Sequence, residues 1–219
     1  MTPILFLSGA GLTAWIWDEV GSGLSAETRV APRPPADASL DTYVDHALAA
    51  ADGWDTFDVV AHSVGGVVGA ALLARAPERV TGFLAVSACI PEPGGSFLAS
   101  LPFPQRRVLG LVTRIVGTKP PAKAIRSGVC SGVSTELADR IVAGFEPESR
   151  RLYADPVPAR SFPDRSAYLL TTQDREFTPA LQETYAGQLG APVERVETGH
   201  LPMLEKPDAV AAVIGRVLA

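Results

Sequence analysis

Residues 59–69 of the chain read Val59-Val60-Ala61-His62-Ser63-Val64-Gly65-Gly66-Val67-Val68-Gly69. The apolar run before Ser63 predicts a buried strand, and the small residues after it predict a helix that begins in a tight turn. A serine can occupy such a strained turn only where the residues two places before and after it are small. Ala61 and Gly65 meet that condition, so the stretch predicts a nucleophilic serine whose helix N-terminus stabilises a developing anion.

Two other interpretations of this stretch stay open. A glycine-rich turn can serve only to pack a strand closely against a helix, or it can bind phosphate. A phosphate-binding loop would carry a lysine after its glycines, whereas Val67 and Val68 occupy those positions here. The nucleophile is therefore the favoured interpretation.

The composition restricts the class of protein. The chain has 219 residues, of which 47% are hydrophobic and 20% charged, as expected for a globular protein of one or two domains. Its net charge of −5 argues against a nucleic-acid partner. Two cysteines, Cys89 and Cys130, cannot form a disulfide framework and are expected to be small buried fillers. No secretory signal and no apolar run of about 20 residues appears, so we expect a cytoplasmic monomer or homodimer with no membrane contact.

Short apolar runs alternate with helical patterns along the chain, which predicts an α/β fold with a mostly parallel sheet of about six strands. Residues 90–165 interrupt the alternation with proline- and glycine-rich ends and amphipathic helices near 105–116 and 135–145. We define this insertion, which follows the fourth predicted strand, as the cap, and residues 1–89 and 166–219 as the core. The strands are expected at residues 4–8, 28–31, 57–61, 82–87, 167–172 and 193–197, and the core helices at 41–51, 63–75, 178–189 and 207–218.

A nucleophilic serine needs a base, and the chain has three histidines, His46, His62 and His200. His46 lies in a helical pattern, and His62 precedes Ser63 and should point away from it. His200 follows the last predicted strand, in the kind of loop that collects catalytic groups in open α/β sheets. For the acid that orients the base, Asp174 follows the fifth predicted strand and is preferred over Glu176. The chain order Ser63, Asp174, His200 matches a known triad order.

Acyl transfer also needs two N–H donors aimed at the oxyanion. The amide of Val64, directly after the serine, is one expected donor, and the amide of Ala10 in the loop after the first strand is the other. Neighbouring Ser8 and Gly9, together with Trp15, are expected to contact substrate. The sequence shows no metal-ligand spacing, and no cofactor is expected.

With these residues the chain resembles the α/β-hydrolase superfamily over nearly its whole length. It looks most like the compact branch of esterases and hydroxynitrile lyases that includes the plant methyl-salicylate esterases and bacterial homologues. The resemblance is carried by Ser8-Gly9-Ala10, the turn around Ser63, the Pro91-Glu92-Pro93-Gly94 entry to the cap, and Gly199-His200-Leu201-Pro202. It implies an α/β-hydrolase fold with an esterase-type triad and oxyanion hole.

The sequence departs from this branch at two positions. Ser8 stands where the branch usually has a histidine, which changes the hydrogen bonding of the loop but leaves its backbone donor available. Leu201 stands where the lyases of the branch have a lysine after the catalytic histidine, which weighs against a hydroxynitrile lyase.

The cap has an uneven charge distribution. Between Pro93 and Thr135 there are six basic residues and no acidic one, beside an apolar helical face that includes Leu109 and Val112. These two side chains are expected to line a substrate pocket, and the basic residues either attract an anionic substrate or solvate the outer face of an amphipathic helix; the second is favoured.

The residues together predict a serine hydrolase that cleaves a carboxylic ester with a small to medium, largely apolar acyl or aryl group. One alternative is a lyase or cyclase of the same fold that acts on a natural-product intermediate with His200 as base, because a fold does not fix a function. A second alternative is a ligand receptor built on a dormant hydrolase.

Overall fold

A computed structural model describes residues 2–219. Its centre is a six-stranded sheet in the order β2-β1-β3-β4-β5-β6. All five neighbouring pairs are parallel, as the alternation of apolar runs and helices predicts. The strands are β1 (Ile4–Leu7), β2 (Thr28–Val30), β3 (Phe57–His62), β4 (Val80–Val86), β5 (Arg165–Thr171) and β6 (Val193–Val196).

Helices cover both faces of the sheet. They are α1 (Asp18–Ser22), α2 (Leu40–Ala50), α3 (Gly65–Arg75), α4 (Gln105–Ile115), α5 (Ala122–Ser127), α6 (Thr135–Gly144), α7 (Arg150–Ala154), α8 (Pro179–Leu189), α9 (Pro202–Glu205) and α10 (Pro207–Leu218). Alternate residues of β1 contribute to two separate cores. Leu5 and Leu7 pack with α2, α3 and α8, whereas Ile4 and Phe6 pack with α1 and α10. The alternation follows from the two-residue period of a strand.

The six predicted strands are all present, and their ends differ from the predictions by two residues at most. The near-continuous apolar runs of the six strands predict burial on both faces, and this prediction holds for β1, β3, β4 and β5. It is wrong for β2 and β6, whose residues are mostly half-buried. These two strands form the edges of the sheet, where one side has no neighbouring strand to cover it. Cys89 and Cys130 are buried free thiols, as expected for fillers.

The strand order places several loops at the carboxyl ends of the strands. The chain passes from β1 outward to β2 and then returns to the other side of β1 with β3, so the direction of winding reverses between β1 and β3. In open α/β sheets such a reversal opens a crevice at the carboxyl ends of the strands. Because the strands are parallel, the loops that follow β1, β3, β4, β5 and β6 all begin at these carboxyl ends.

Four helices, α4 to α7, lie between β4 and β5 in the segment defined as the cap. Helices α4 and α6 are close to their predicted ranges, and α5 and α7 are short elements that the periodicity does not reveal. Across residues 2–219, none of the helices has the length and apolar character needed to span a bilayer.

Candidate active site

Ser63 occupies the turn between β3 and α3 in a left-handed backbone conformation, with a φ of 55°. This conformation costs a non-glycine residue about 1–3 kcal/mol and persists only where the surroundings impose it. Two glycines make the turn possible. A Cβ on Gly65 would lie 2.4 Å from the backbone oxygen of Leu7, and one on Gly66 would lie 2.4 Å from that of Cys89. The glycines after Ser63 are thus required for close packing of α3 against the end of β1 and the loop after β4.

The side chains of Ser63, His200 and Asp174 form a continuous hydrogen-bonded relay. Ser63 Oγ lies 3.0 Å from His200 Nε2, and His200 Nδ1 lies 2.8 Å from Asp174 Oδ2. The three residues come from the loops after β3, β6 and β5 and are at least 90% buried. This arrangement lets the serine hydroxyl donate its proton to the imidazole while the carboxylate fixes the tautomer and orientation of the ring.

Asp174 is held by donors to both of its carboxylate oxygens. The hydroxyl of Ser87, after β4, donates to Oδ2 at 2.6 Å, and that of Thr171 donates to the same atom at 3.0 Å. The amides of Glu176 and Phe177 donate to Oδ1 at 2.8 and 3.0 Å. These bonds satisfy the buried charge and fix the plane of the carboxylate that faces His200.

The pKa values of the pair shift in opposite directions. Burial alone would raise the pKa of Asp174, but the charge of His200 and the hydrogen bonds from His200 and Ser87 lower it well below its ordinary range. Burial alone would lower the pKa of His200, but the negative charge of Asp174 and its hydrogen bond outweigh burial and raise it. Asp174 therefore stays ionised and makes His200 a stronger base.

His62 contacts the loop that contains His200. Its Nε2 lies 2.8 Å from the backbone oxygen of His200 and donates to it. Burial, followed by the proximity of His200, lowers the pKa of His62 to about 3. The ring is therefore neutral, and its hydrogen bond holds the loop of His200 in place.

The sequence predicts the amides of Ala10 and Val64 as the two oxyanion donors. Both residues line the same cavity as Ser63 and His200. Within residues 2–219 neither amide donates a hydrogen bond to another protein group. Both N–H groups are therefore available to an oxyanion formed beside Ser63 Oγ.

A buried carboxylate from the cap holds the loop that contains Ala10. Glu148 Oε1 accepts a hydrogen bond of 3.0 Å from the amide of Gly11 and one of 2.8 Å from Arg33 Nε. Its Oε2 accepts one of 2.6 Å from the hydroxyl of Tyr43. Gly11 itself has a φ of 71°, a left-handed conformation that glycine adopts without strain, and the hydrogen bond from its amide joins this loop to the cap.

The cavity beside Ser63 has a volume of about 150 Å³, which is room for a small apolar ligand. The side chains that line it are mostly apolar or aromatic, and they come from the core and the cap: Leu12, Phe97, Leu109, Thr113, Val129, Phe145, Tyr153 and Phe177. Glu176 is the acidic residue on this wall. Burial raises its pKa, and its Oε1 lies where a side chain on Gly128 would collide with it.

Of the five residues expected to contact substrate, Leu109 lines this cavity. Ser8 Oγ instead accepts a hydrogen bond from Trp17 Nε1 at 3.1 Å, and Gly9 packs against the ring of His62. Trp15 stacks on Arg140 of α6, with the guanidinium carbon 3.7 Å from the ring centroid.

Val112, the fifth, lies on an open groove on the outside of α4, and Thr113 occupies the inner position instead. The helical register explains the difference, because residues 109 and 113 are four apart and share the inner face.

The sequence did not predict the contacts that Ser87, Glu176 and Glu148 make at the site. Ser87 directly follows β4, which neighbours the strand that precedes Asp174, and a polar residue directly after an apolar strand is the signal that could have revealed it. Glu176 was considered only as an alternative acid. Glu148 lies in the cap, and no local pattern indicates its contacts across more than 100 residues of sequence. No three His, Cys, Asp or Glu side chains in residues 2–219 are grouped as metal ligands.

Comparison with known proteins bears on the family and on the fold. The model of a family described as the alpha/beta hydrolase family matches residues 4–213. A search of the curated proteins found no match to the sequence.

Solved structures show the same fold at low sequence identity. An extracellular alpha/beta-hydrolase from a Paenibacillus species is 17% identical with a TM-score of 0.79, over 99% of both chains. The methylesterase MES16 from Arabidopsis is 16% identical with a TM-score of 0.78, over 100% of this chain and 99% of that one. Tomato methylketone synthase I is 12% identical with a TM-score of 0.76, over 99% and 97%.

Proposed function

Because the chain belongs to the alpha/beta hydrolase family, we propose that it is a serine hydrolase that cleaves carboxylic esters through an acyl-enzyme on Ser63. The observation that carries this proposal is the buried relay from Ser63 Oγ through His200 to Asp174, with distances of 3.0 and 2.8 Å. Similarity in fold to a methylesterase agrees with it.

In the proposed acylation step, Ser63 Oγ attacks the ester carbonyl while His200 Nε2 removes its proton. The carbonyl oxygen becomes an oxyanion that accepts hydrogen bonds from the amides of Ala10 and Val64. Asp174 stabilises the imidazolium that forms. Collapse of the tetrahedral intermediate breaks the ester C–O bond, and His200 returns the proton to the departing alcohol.

Deacylation uses the same groups. His200 removes a proton from water, the resulting hydroxide attacks the acyl carbonyl, and the oxyanion again lies against the two amides. Collapse releases the carboxylic acid and returns the proton to Ser63 Oγ. The scheme needs no metal or redox cofactor.

The wall of the cavity favours a neutral, largely apolar substrate of small to medium size. Its apolar and aromatic side chains, Phe97 and Phe145 among them, suit an aliphatic or aryl group. Glu176 places a carboxylate on the same wall, which disfavours an anionic acyl chain. The basic residues of the cap, by contrast, are not among those that line the cavity.

A chain-length series of p-nitrophenyl esters tests the proposal. We expect hydrolysis of short and medium esters, labelling of Ser63 by a fluorophosphonate, and a loss of kcat of about a million-fold in Ser63→Ala. The exposed Ser22→Ala is a matched control and should retain full activity. Labelling of a different residue, or full esterase activity in Ser63→Ala, would refute the proposal.

A second candidate is a non-hydrolytic reaction in which His200 acts as a general base on a carbonyl compound. The likeness in fold to tomato methylketone synthase I, a protein solved with beta-ketoheptanoate bound in its H243A variant, favours it. The intact hydrogen bond between Ser63 and His200 weighs against it. Turnover of a β-keto acid that survives Ser63→Ala but is lost in His200→Ala would establish this candidate in place of the esterase.

A further inference from the structure

Helix α4 exposes an apolar face to solvent. We define the exposed α4 face as Phe103, Val108, Leu111, Val112, Ile115 and Val116; Ile115 is 72% exposed and Val116 is 73% exposed. The opposite side of the helix, with Leu109 and Thr113, lines the cavity that contains Ser63. Monomeric soluble proteins rarely expose a continuous group of large apolar side chains unless the surface binds something.

Cationic side chains surround this face. Arg106, Arg107 and Arg114 lie on α4 itself, and Lys119 and Lys123 follow in the next segment; all five are exposed. None of them forms a salt bridge within residues 2–219. The guanidinium of Arg107 lies over the ring of Phe103, 5.5 Å from its centroid, so the charge borders the apolar surface directly.

The basic residues around the exposed α4 face differ in charge from the rest of the chain. The stretch from Pro93 to Thr135 contains six of the nineteen basic residues and none of the 24 acidic ones. The remainder of the chain is therefore strongly acidic. A planar anionic surface would attract the α4 side of the molecule and repel the other sides.

A second copy of the chain fits this face less well. A two-fold contact through α4 would bring the same arginines and lysines of both copies together, and like charges across an interface oppose association. An anionic lipid surface satisfies both features, since the apolar side chains enter the acyl boundary and the flanking cations pair with headgroup phosphates.

From this geometry we propose that the exposed α4 face docks the protein on an anionic lipid surface. Docking is peripheral, by one helix that lies in the plane of the interface, and departs from the expectation of no membrane contact. It does not depend on esterase activity, so its test succeeds or fails independently of the proposed function.

Sedimentation of the full chain with vesicles tests this proposal. We expect binding to phosphatidylcholine vesicles that contain roughly 30% phosphatidylserine, weak binding to phosphatidylcholine alone, and release at about 0.5 M NaCl. R107Q/R114Q should partition about 25-fold more weakly, roughly fivefold for each cation. L111S/I115S should lose at least about tenfold, and because these side chains are exposed its thermal unfolding should match that of the parent.

A matched control removes the same number of positive charges elsewhere. Arg195 and Arg216 are exposed residues of the core that pair with Glu183 and Glu194, and R195Q/R216Q should bind vesicles as the parent does. Equal loss in this control, or no binding to anionic vesicles, would overturn the proposal. So would a dimer in solution at micromolar concentration that L111S/I115S converts to a monomer, because the face would then belong to a second copy.

Discussion

Replacement of Ser87 by alanine tests whether the loop after β4 controls the charge of Asp174. The Ser87 hydroxyl donates a 2.6 Å hydrogen bond to Asp174 Oδ2, and both residues are buried. A hydrogen bond to a charged group contributes about 1.5–3 kcal/mol, so Ser87→Ala should lower the free energy of unfolding at pH 7 by that amount in urea titrations. Ser87 has a φ of 40°, a strain that alanine shares, so the comparison isolates the hydroxyl.

The same substitution should also change the pH dependence of catalysis. Without the Ser87 donor the carboxylate of Asp174 is less neutralised, and its field stabilises the imidazolium of His200 more strongly. The pKa of His200 should therefore rise further, and the acid limb of kcat/KM should move to higher pH.

Ser166→Ala is the matched control, because the Ser166 hydroxyl is buried but donates to the neutral backbone oxygen of Pro163 at 2.6 Å. It should cost about 0.5–1.5 kcal/mol and leave the pH profile unchanged. If Ser87→Ala matches Ser166→Ala in both stability and pH profile, the role given to Ser87 is refuted.

Four further outcomes follow from the same contacts. In the parent, kcat/KM should rise with pH through the pKa of His200, which Asp174 raises above the ordinary value of a histidine despite burial, since only the neutral imidazole accepts a proton; a profile without an acid limb would contradict this. Gly65→Ala should destabilise the fold by about 3 kcal/mol or more, because its Cβ would lie 2.4 Å from the backbone oxygen of Leu7; a normal thermal midpoint would be inconsistent with that packing. Glu176→Gln should raise kcat/KM for a monoanionic ester over its neutral isostere about tenfold, as expected for one like charge near the site; paired kinetics showing an unchanged ratio would remove Glu176 from selectivity. Glu148→Gln should cost about 2–3 kcal/mol in urea unfolding and lower kcat more than it raises KM, because the ion pair that fixes the oxyanion loop is lost; equal effects on both kinetic constants would argue for a purely structural role.

The parts of the site that the sequence predicted are those with a local signature. Ser63 could be identified because the turn demands small neighbours at fixed spacing, and the structure places Gly65 where no side chain fits. His200 and Asp174 could be placed because the loops after parallel strands meet at one edge of the sheet. Ala10 followed from the same rule, applied to the loop after β1.

The parts that escaped prediction depend on contacts between distant segments. Glu148 contacts Gly11 and Tyr43 across more than 100 residues of sequence, and no periodicity carries such a relation. Val112 was placed in the pocket because the apolar pattern of α4 does not say which side of the helix faces the core. An amphipathic helix normally buries its apolar side, whereas α4 exposes it, and this exception motivates the lipid-docking proposal.

Two contacts, which we call the anchors of the cap, join the cap to loops of the core and limit how the cap can move. Glu148 ties residues after α6 to the loop of Gly11, and Glu176 lies against Gly128 after α5. Both anchored loops carry groups of the proposed mechanism, so a rigid swing of the whole cap would displace the amide of Ala10 and the loop of Asp174. Helix α4 precedes both anchored segments along the chain and lines the cavity, so we expect substrate to enter beside it. If α4 docks on lipid as proposed, a tether from α4 to the core should slow turnover of membrane-bound esters more than that of dissolved ones.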